Sequence, residues 1–91
     1  MSDEKSAVEA IHITSREYST VFNIRGLKEN AHMMVMTAHR EADGGYILKG
    51  SPRAFDELAS DLLDEIEFRI SPRLSIRALR SLYNKLGSDY F

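Results

Sequence analysis

The tripeptide Ser-Pro-Arg occurs twice, at residues 51–53 and 71–73, and each copy heads an apolar stripe with helical spacing. Ser accepts hydrogen bonds from the orphan amides of a first helical turn, and Pro fits the first helical position, where its missing N–H costs nothing. The pair predicts two C-terminal helices. The first buries Phe55, Leu58, Ala59, Leu62, Leu63 and Ile66; the second buries Leu74, Ala78, Leu79, Leu82, Tyr83 and Leu86 and ends at Gly87 as C-cap.

Upstream of Gly50 the pattern is closer to period two. Val8–Thr14 and Tyr18–Arg25 are rich in β-branched and aromatic residues and read as two strands joined near Ser15–Glu17. Ala31–Arg40 reads as a third strand, with Met33 and Val35 on one face and Met34, Met36 and Ala38 on the other. Asp43-Gly44-Gly45 is a hairpin turn signal, because Gly supplies φ > 0 freely, and Tyr46–Lys49 is the returning fourth strand. The expected fold is α+β: a four-stranded antiparallel meander sheet followed by two C-terminal helices (β-β-β-β-α-α) packed on one sheet face. With 91 residues there is room for one core, expected over residues 7–87, with a flexible N-terminus at 1–6 and a short tail at 88–91.

Composition and motifs disfavour several function classes. The chain has no Cys, which removes thiolate nucleophiles, disulfides and Cys-ligated zinc. No apolar run approaches the roughly 18 residues of a membrane span, and Met1-Ser2-Asp3-Glu4-Lys5 lacks a signal-peptide pattern, so the expectation is a cytoplasmic protein that does not enter membranes. His12, His32 and His39 invite a metal, but His32 and His39 are seven apart on one expected strand and so point to opposite faces. No metal and no cofactor are expected. Dinucleotide, Walker, zincin and nucleophile-elbow signatures are missing, and the carboxylates fall on an expected solvated face, so the chain reads as non-catalytic.

The charge is segregated. Residues 52–70 hold six acids (Asp56, Glu57, Asp61, Asp64, Glu65, Glu67) against Arg53 and Arg69, net −4, while residues 72–86 hold Arg73, Arg77, Arg80 and Lys85, net +4. On ideal helices both sets point away from the apolar stripes. The candidate interaction face is therefore Arg73, Arg77 and Arg80 with Asp56, Glu57, Asp61 and Asp64. The leading expectation is a small interaction or regulatory domain that uses these helix faces, or a sheet edge, to bind a protein partner or a second copy of itself. An acidic first helix also suits an inhibitor or antitoxin-like mimic. Lys49, Ser51 and Arg53 beside a helix start form a candidate anion site.

A second expectation comes from layout. Ile11-His12-Ile13-Thr14-Ser15-Arg16-Glu17-Tyr18, Leu27-Lys28-Glu29-Asn30 and Asp43-Gly44-Gly45, within an expected β4-α order over residues 8–68, are similar in layout to the PUR and whirly type of modules. That resemblance implies dimerisation and single-stranded nucleic acid bound on the sheet. Bases would stack on Tyr18, Phe22 or Tyr46, flanked by Arg16, Arg25 and Lys49. Residues 1–50 carry six bases against seven acids, so the usual basic footprint is missing.

Overall fold

Thr14-Ser15-Arg16-Glu17 is a capping box, and it starts a helix where alternation predicts a strand. The Thr14 hydroxyl accepts from Glu17 N–H at 3.1 Å, and the Glu17 carboxylate accepts from Thr14 N–H at 2.9 Å. The structure is a computed structural model that describes the backbone of residues 9–90 and the side chains of residues 9–86. The expected flexible stretch 1–6 lies outside the described residues.

The chain runs β1 (Glu9–Ile13), α1 (Ser15–Phe22), α2 (Glu29–Met36), β2 (His39–Arg40), β3 (Tyr46–Gly50), α3 (Pro52–Phe68) and α4 (Ile76–Tyr90). This corrects the expected fold. Among the described residues there are three strands, in the order β1-β3-β2, and four helices, so the meander and the β-β-β-β-α-α order do not occur. Tyr18–Arg25 and Ala31–Arg40 are mainly helical because their buried residues follow helical spacing: Glu17, Thr20 and Val21 in α1, and Ala31, Met34 and Val35 in α2. The parity argument for the histidines also falls, since His32 lies on α2 and His39 on β2.

Both sheet pairings are antiparallel. Ile11 faces Leu48 and Ile13 faces Tyr46 across β1 and β3, and Ile11, Ile13 and Leu48 turn one sheet face into the core. The other face carries His12, Ile47 and His39 in one cross-strand row, with His12 and His39 exposed. The expected hairpin at Asp43-Gly44-Gly45 is present. Gly44 takes φ 94°, the Asp43 carboxylate accepts from Gly45 N–H at 2.9 Å, and β3 returns from Tyr46.

The helices close over the buried face. α4 packs on β1, α2 and α3 pack on β3, and α1 packs on α4 and α2. Phe55, Leu58 and Leu62 of α3 and Leu79 and Leu82 of α4 are essentially inaccessible. Each such side chain contributes about 1.5–3 kcal/mol of transfer free energy. β3 leads into α3 through Gly50, where a Cβ would collide with the Met34 sulfur.

The two Ser-Pro-Arg copies part company. Ser51 caps α3, its Oγ accepting from Ala54 N–H at 3.3 Å with Pro52 in the first turn, as expected. Ser71 does not cap a helix. Its N–H and hydroxyl donate to Glu65 at 2.9 and 3.2 Å, and residues 71–74 form a single turn closed by Leu74 N–H on the Ser71 carbonyl. Ser75 takes over, its Oγ accepting from Ala78 N–H at 3.2 Å, so α4 starts at Ile76 and runs past Gly87 to Tyr90.

Candidate functional site

Glu57, Asp61 and Glu65 stand four residues apart on α3 and form a ridge. That ridge meets backbone rather than water. Glu57 accepts from Asn30 N–H at 3.0 Å, from the Asn30 side-chain amide at 2.9 Å and from Ala31 N–H at 3.3 Å, so it caps α2, whose own N-cap Lys28 supplies no side-chain acceptor. Asp61, 5% exposed, accepts from Lys28 N–H at 2.9 Å and from the Lys28 ammonium at 2.7 Å. Glu65, 3% exposed, holds Ser71. The bond to Asp61, reinforced by the nearby charges of Asp64 and Glu57, lifts Lys28 above its ordinary pKa. The Asn30 amide, with the Ala31 and Asn30 N–H groups, holds Glu57 below its ordinary value against a smaller desolvation.

Glu17 is a fourth internal carboxylate, on α1. Besides Thr14 N–H it accepts from the Ser81 hydroxyl and from the Lys85 ammonium, each at 2.7 Å, and Lys85 also donates to the His12 carbonyl at 3.0 Å. Burial pushes its carboxyl up, but the bonds from Lys85, Ser81 and Thr14 outweigh that and hold it below the ordinary value. The Lys85 ammonium thus ties α4 to both α1 and β1.

The other charged candidates face outward. Asp56 is exposed, Asp64 is half-buried near Lys28, and Arg53 lies beside Glu57. Arg16, Arg25, Arg73, Arg77 and Arg80 are all exposed, and none of their guanidinium groups has a hydrogen bond or ion pair among the described residues. Arg73 sits in the turn before α4 rather than on it, so only Arg77 and Arg80 share that helix.

Arg25 and Arg73 nevertheless line one cleft of about 660 Å³. One wall is Asn23 and Arg25, where the chain leaves α1; the other is the α3–α4 turn from Ile70 to Leu74. That turn is held in shape. Arg69 ends α3 in the left-handed region (φ 50°), its guanidinium donates to the Pro72 carbonyl at 3.1 Å, and Glu65 holds Ser71. Ile70 is 62% exposed at the cleft. Sequence reasoning missed Asn23 and Ile70, since nothing local marks them as neighbours.

The remaining candidates separate. Tyr18 stacks on Tyr46 (centroids 3.8 Å apart, planes 10° apart) and, more loosely, on Phe22 at 5.7 Å. The tyrosines therefore cover each other's faces, and Phe22, 49% exposed, keeps an accessible ring on α1. Lys49 is three residues from Tyr46 along β3 and so projects from the opposite sheet face. Lys49 and Ser51 line a smaller cleft of about 250 Å³ with Met33 and Met34, without Arg53.

Among the described residues no helix is long and apolar enough to cross a membrane, and no three His, Asp or Glu residues converge as metal ligands. The chain matches no protein-family profile, no curated protein and no solved structure.

Proposed function

We propose that this chain is a small non-catalytic interaction domain, working in the cytoplasm, that binds an acidic protein partner through the outward basic surface of Arg25, Arg73, Arg77 and Arg80. One observation carries the reading: the carboxylates that would neutralise those arginines are turned inward onto Lys28, Lys85 and backbone amides, and the arginines are left facing water. Exposed, unpaired charge of one sign suits an opposite partner and steers its approach. The acidic-mimic reading draws less support, because the ridge that would do the mimicry is engaged internally. Nucleic acid on the sheet also draws less, because Tyr18 and Phe22 lie on a helix and Lys49 projects from the sheet face opposite Tyr46.

Amide chemical shifts followed during titration with a glutamate-rich peptide, at low and at physiological salt, test the reading. Support would be shifts gathered at Arg25, Arg73, Arg77 and Arg80 that shrink as salt rises, since exposed charges are screened over about 8 Å at physiological ionic strength. Shifts confined to the sheet face, or none even at low salt, would contradict it.

A further inference from the structure

We infer that the cleft between the end of α1 and the α3–α4 turn is a peptide site that takes a carboxylate flanked by an apolar side chain; this deepens the reading above and rests on it. Two exposed guanidiniums, Arg25 and Arg73, line the cleft, and neither has an internal counterion among the described residues. A guanidinium binds a carboxylate through two parallel N–H donors. The cleft's volume of about 660 Å³ lies within the roughly 300–1,000 Å³ of ligand sites.

The rest of the lining favours a peptide over a phosphate. Ile70 and Leu74 form an apolar wall beside the arginines, and Ile70 leaves most of its surface in water. Such a wall gains from an apolar side chain and nothing from a sugar-phosphate backbone. Asn23 donates one of its two amide N–H groups to the Ser19 carbonyl at 2.7 Å, and its side-chain oxygen remains an acceptor. An acceptor at the cleft rim suits a peptide N–H, which a phosphate lacks. The Ser71 hydroxyl, already donating to Glu65, offers an anion no free proton. The site therefore presents cation, apolar surface and amide acceptor together, which is the complement of an acidic residue beside Leu, Ile or Phe in an extended segment.

Selection of a random heptapeptide display library on the intact chain, followed by affinity measurement of the winning peptides, tests this. Enriched peptides should carry Asp or Glu next to an apolar residue. Their affinity should fall by roughly tenfold or more in Arg25→Glu and in Arg73→Glu, as expected for a charge-assisted hydrogen bond, and should also fall in Ile70→Ser. It should fall clearly less in Arg77→Glu/Arg80→Glu, which lie outside the cleft. All these positions are exposed, and matching thermal melts confirm that the variants are folded. Acidic peptides that lose affinity only in Arg77→Glu/Arg80→Glu would overturn the cleft site and leave the basic-surface reading standing. No enriched peptide, or peptides indifferent to all four arginines, would overturn both. Inorganic phosphate or a mixed-sequence single-stranded oligonucleotide competing as well as the selected peptide would overturn the choice of a peptide.

Discussion

The acidic and basic segments of the two C-terminal helices look like mirror images in sequence, net −4 over residues 52–70 and net +4 over residues 72–86, yet they do opposite things. Three α3 acids turn toward neighbouring segments and hold their amides, while Arg73, Arg77 and Arg80 reach into water. The difference lies in what the neighbours lack. α2 begins at residue 29 without a side-chain cap of its own, and Ser71 sits in a turn, so both offer backbone N–H groups that need acceptors. Carboxylates meet that need and guanidiniums cannot. Lys85 shows how a base of this segment turns inward: it finds a carbonyl, His12, and a buried carboxylate, Glu17.

The contrast breaks most easily at its internal side. Glu17→Ala removes acceptors for Thr14 N–H, Ser81 and Lys85 together, so a loss of about 3 kcal/mol is expected, near the lower end for a broken buried pair because Lys85 is partly solvated. Urea denaturation measures it, and a loss below about 1 kcal/mol would mean the network is idle. Asp61→Ala strands the Lys28 amide and ammonium and should cost about 2 kcal/mol in the same assay, the usual scale for a hydrogen bond to a charged group.

Acid sharpens the same point. Glu17 titrates lower in the folded chain than unfolded, so its contribution is present above the ordinary carboxylate pKa and is lost as pH falls through the folded value. Stability of the parent chain should drop as pH is lowered below about 4, whereas Glu17→Gln, weaker at neutral pH, should drop less steeply. Parallel pH curves would contradict this. The smallest effect belongs to the outward side. Arg77→Glu with Arg80→Glu should move stability by no more than about 0.5 kcal/mol per site, the usual range for surface substitutions, with the melting temperature as readout.

Legibility in the sequence followed the same division. The hairpin at Asp43-Gly44-Gly45, the cap at Ser51 and the apolar stripes of α3 and α4 follow from local rules, with Leu74 the exception, in the preceding turn. α1 and α2 were hidden for particular reasons. Two of the inward residues of α1, Glu17 and Thr20, are polar, so an apolar stripe does not show, and the capping box at Thr14 was the signal that outweighed Tyr18-to-Arg25 alternation. In α2 the run Met33-Met34-Val35-Met36 is apolar throughout, and eight residues are too few to reveal a period. The second Ser-Pro-Arg misled because capping depends on what else competes: Glu65, six residues back and on another turn, claims Ser71 first, and Ser75 offers the next cap. The inward ridge was not legible because a helix wheel locates acids relative to the apolar stripe and says nothing of the loop amides above them. The cleft joins Arg25 and Arg73, 48 positions apart by their numbers, so only the folded chain reveals it.

The most direct test is a side-by-side urea denaturation at neutral pH of Glu17→Gln/Asp61→Asn and Arg73→Gln/Arg77→Gln/Arg80→Gln. The carboxylate pair should lose several kcal/mol, on the scale of broken charged hydrogen bonds, and the arginine triple should match the parent chain within about 1 kcal/mol. Equal losses, or a stable carboxylate pair beside a weakened arginine triple, would contradict the claim that acids hold this fold from within while the arginines face outward for a partner.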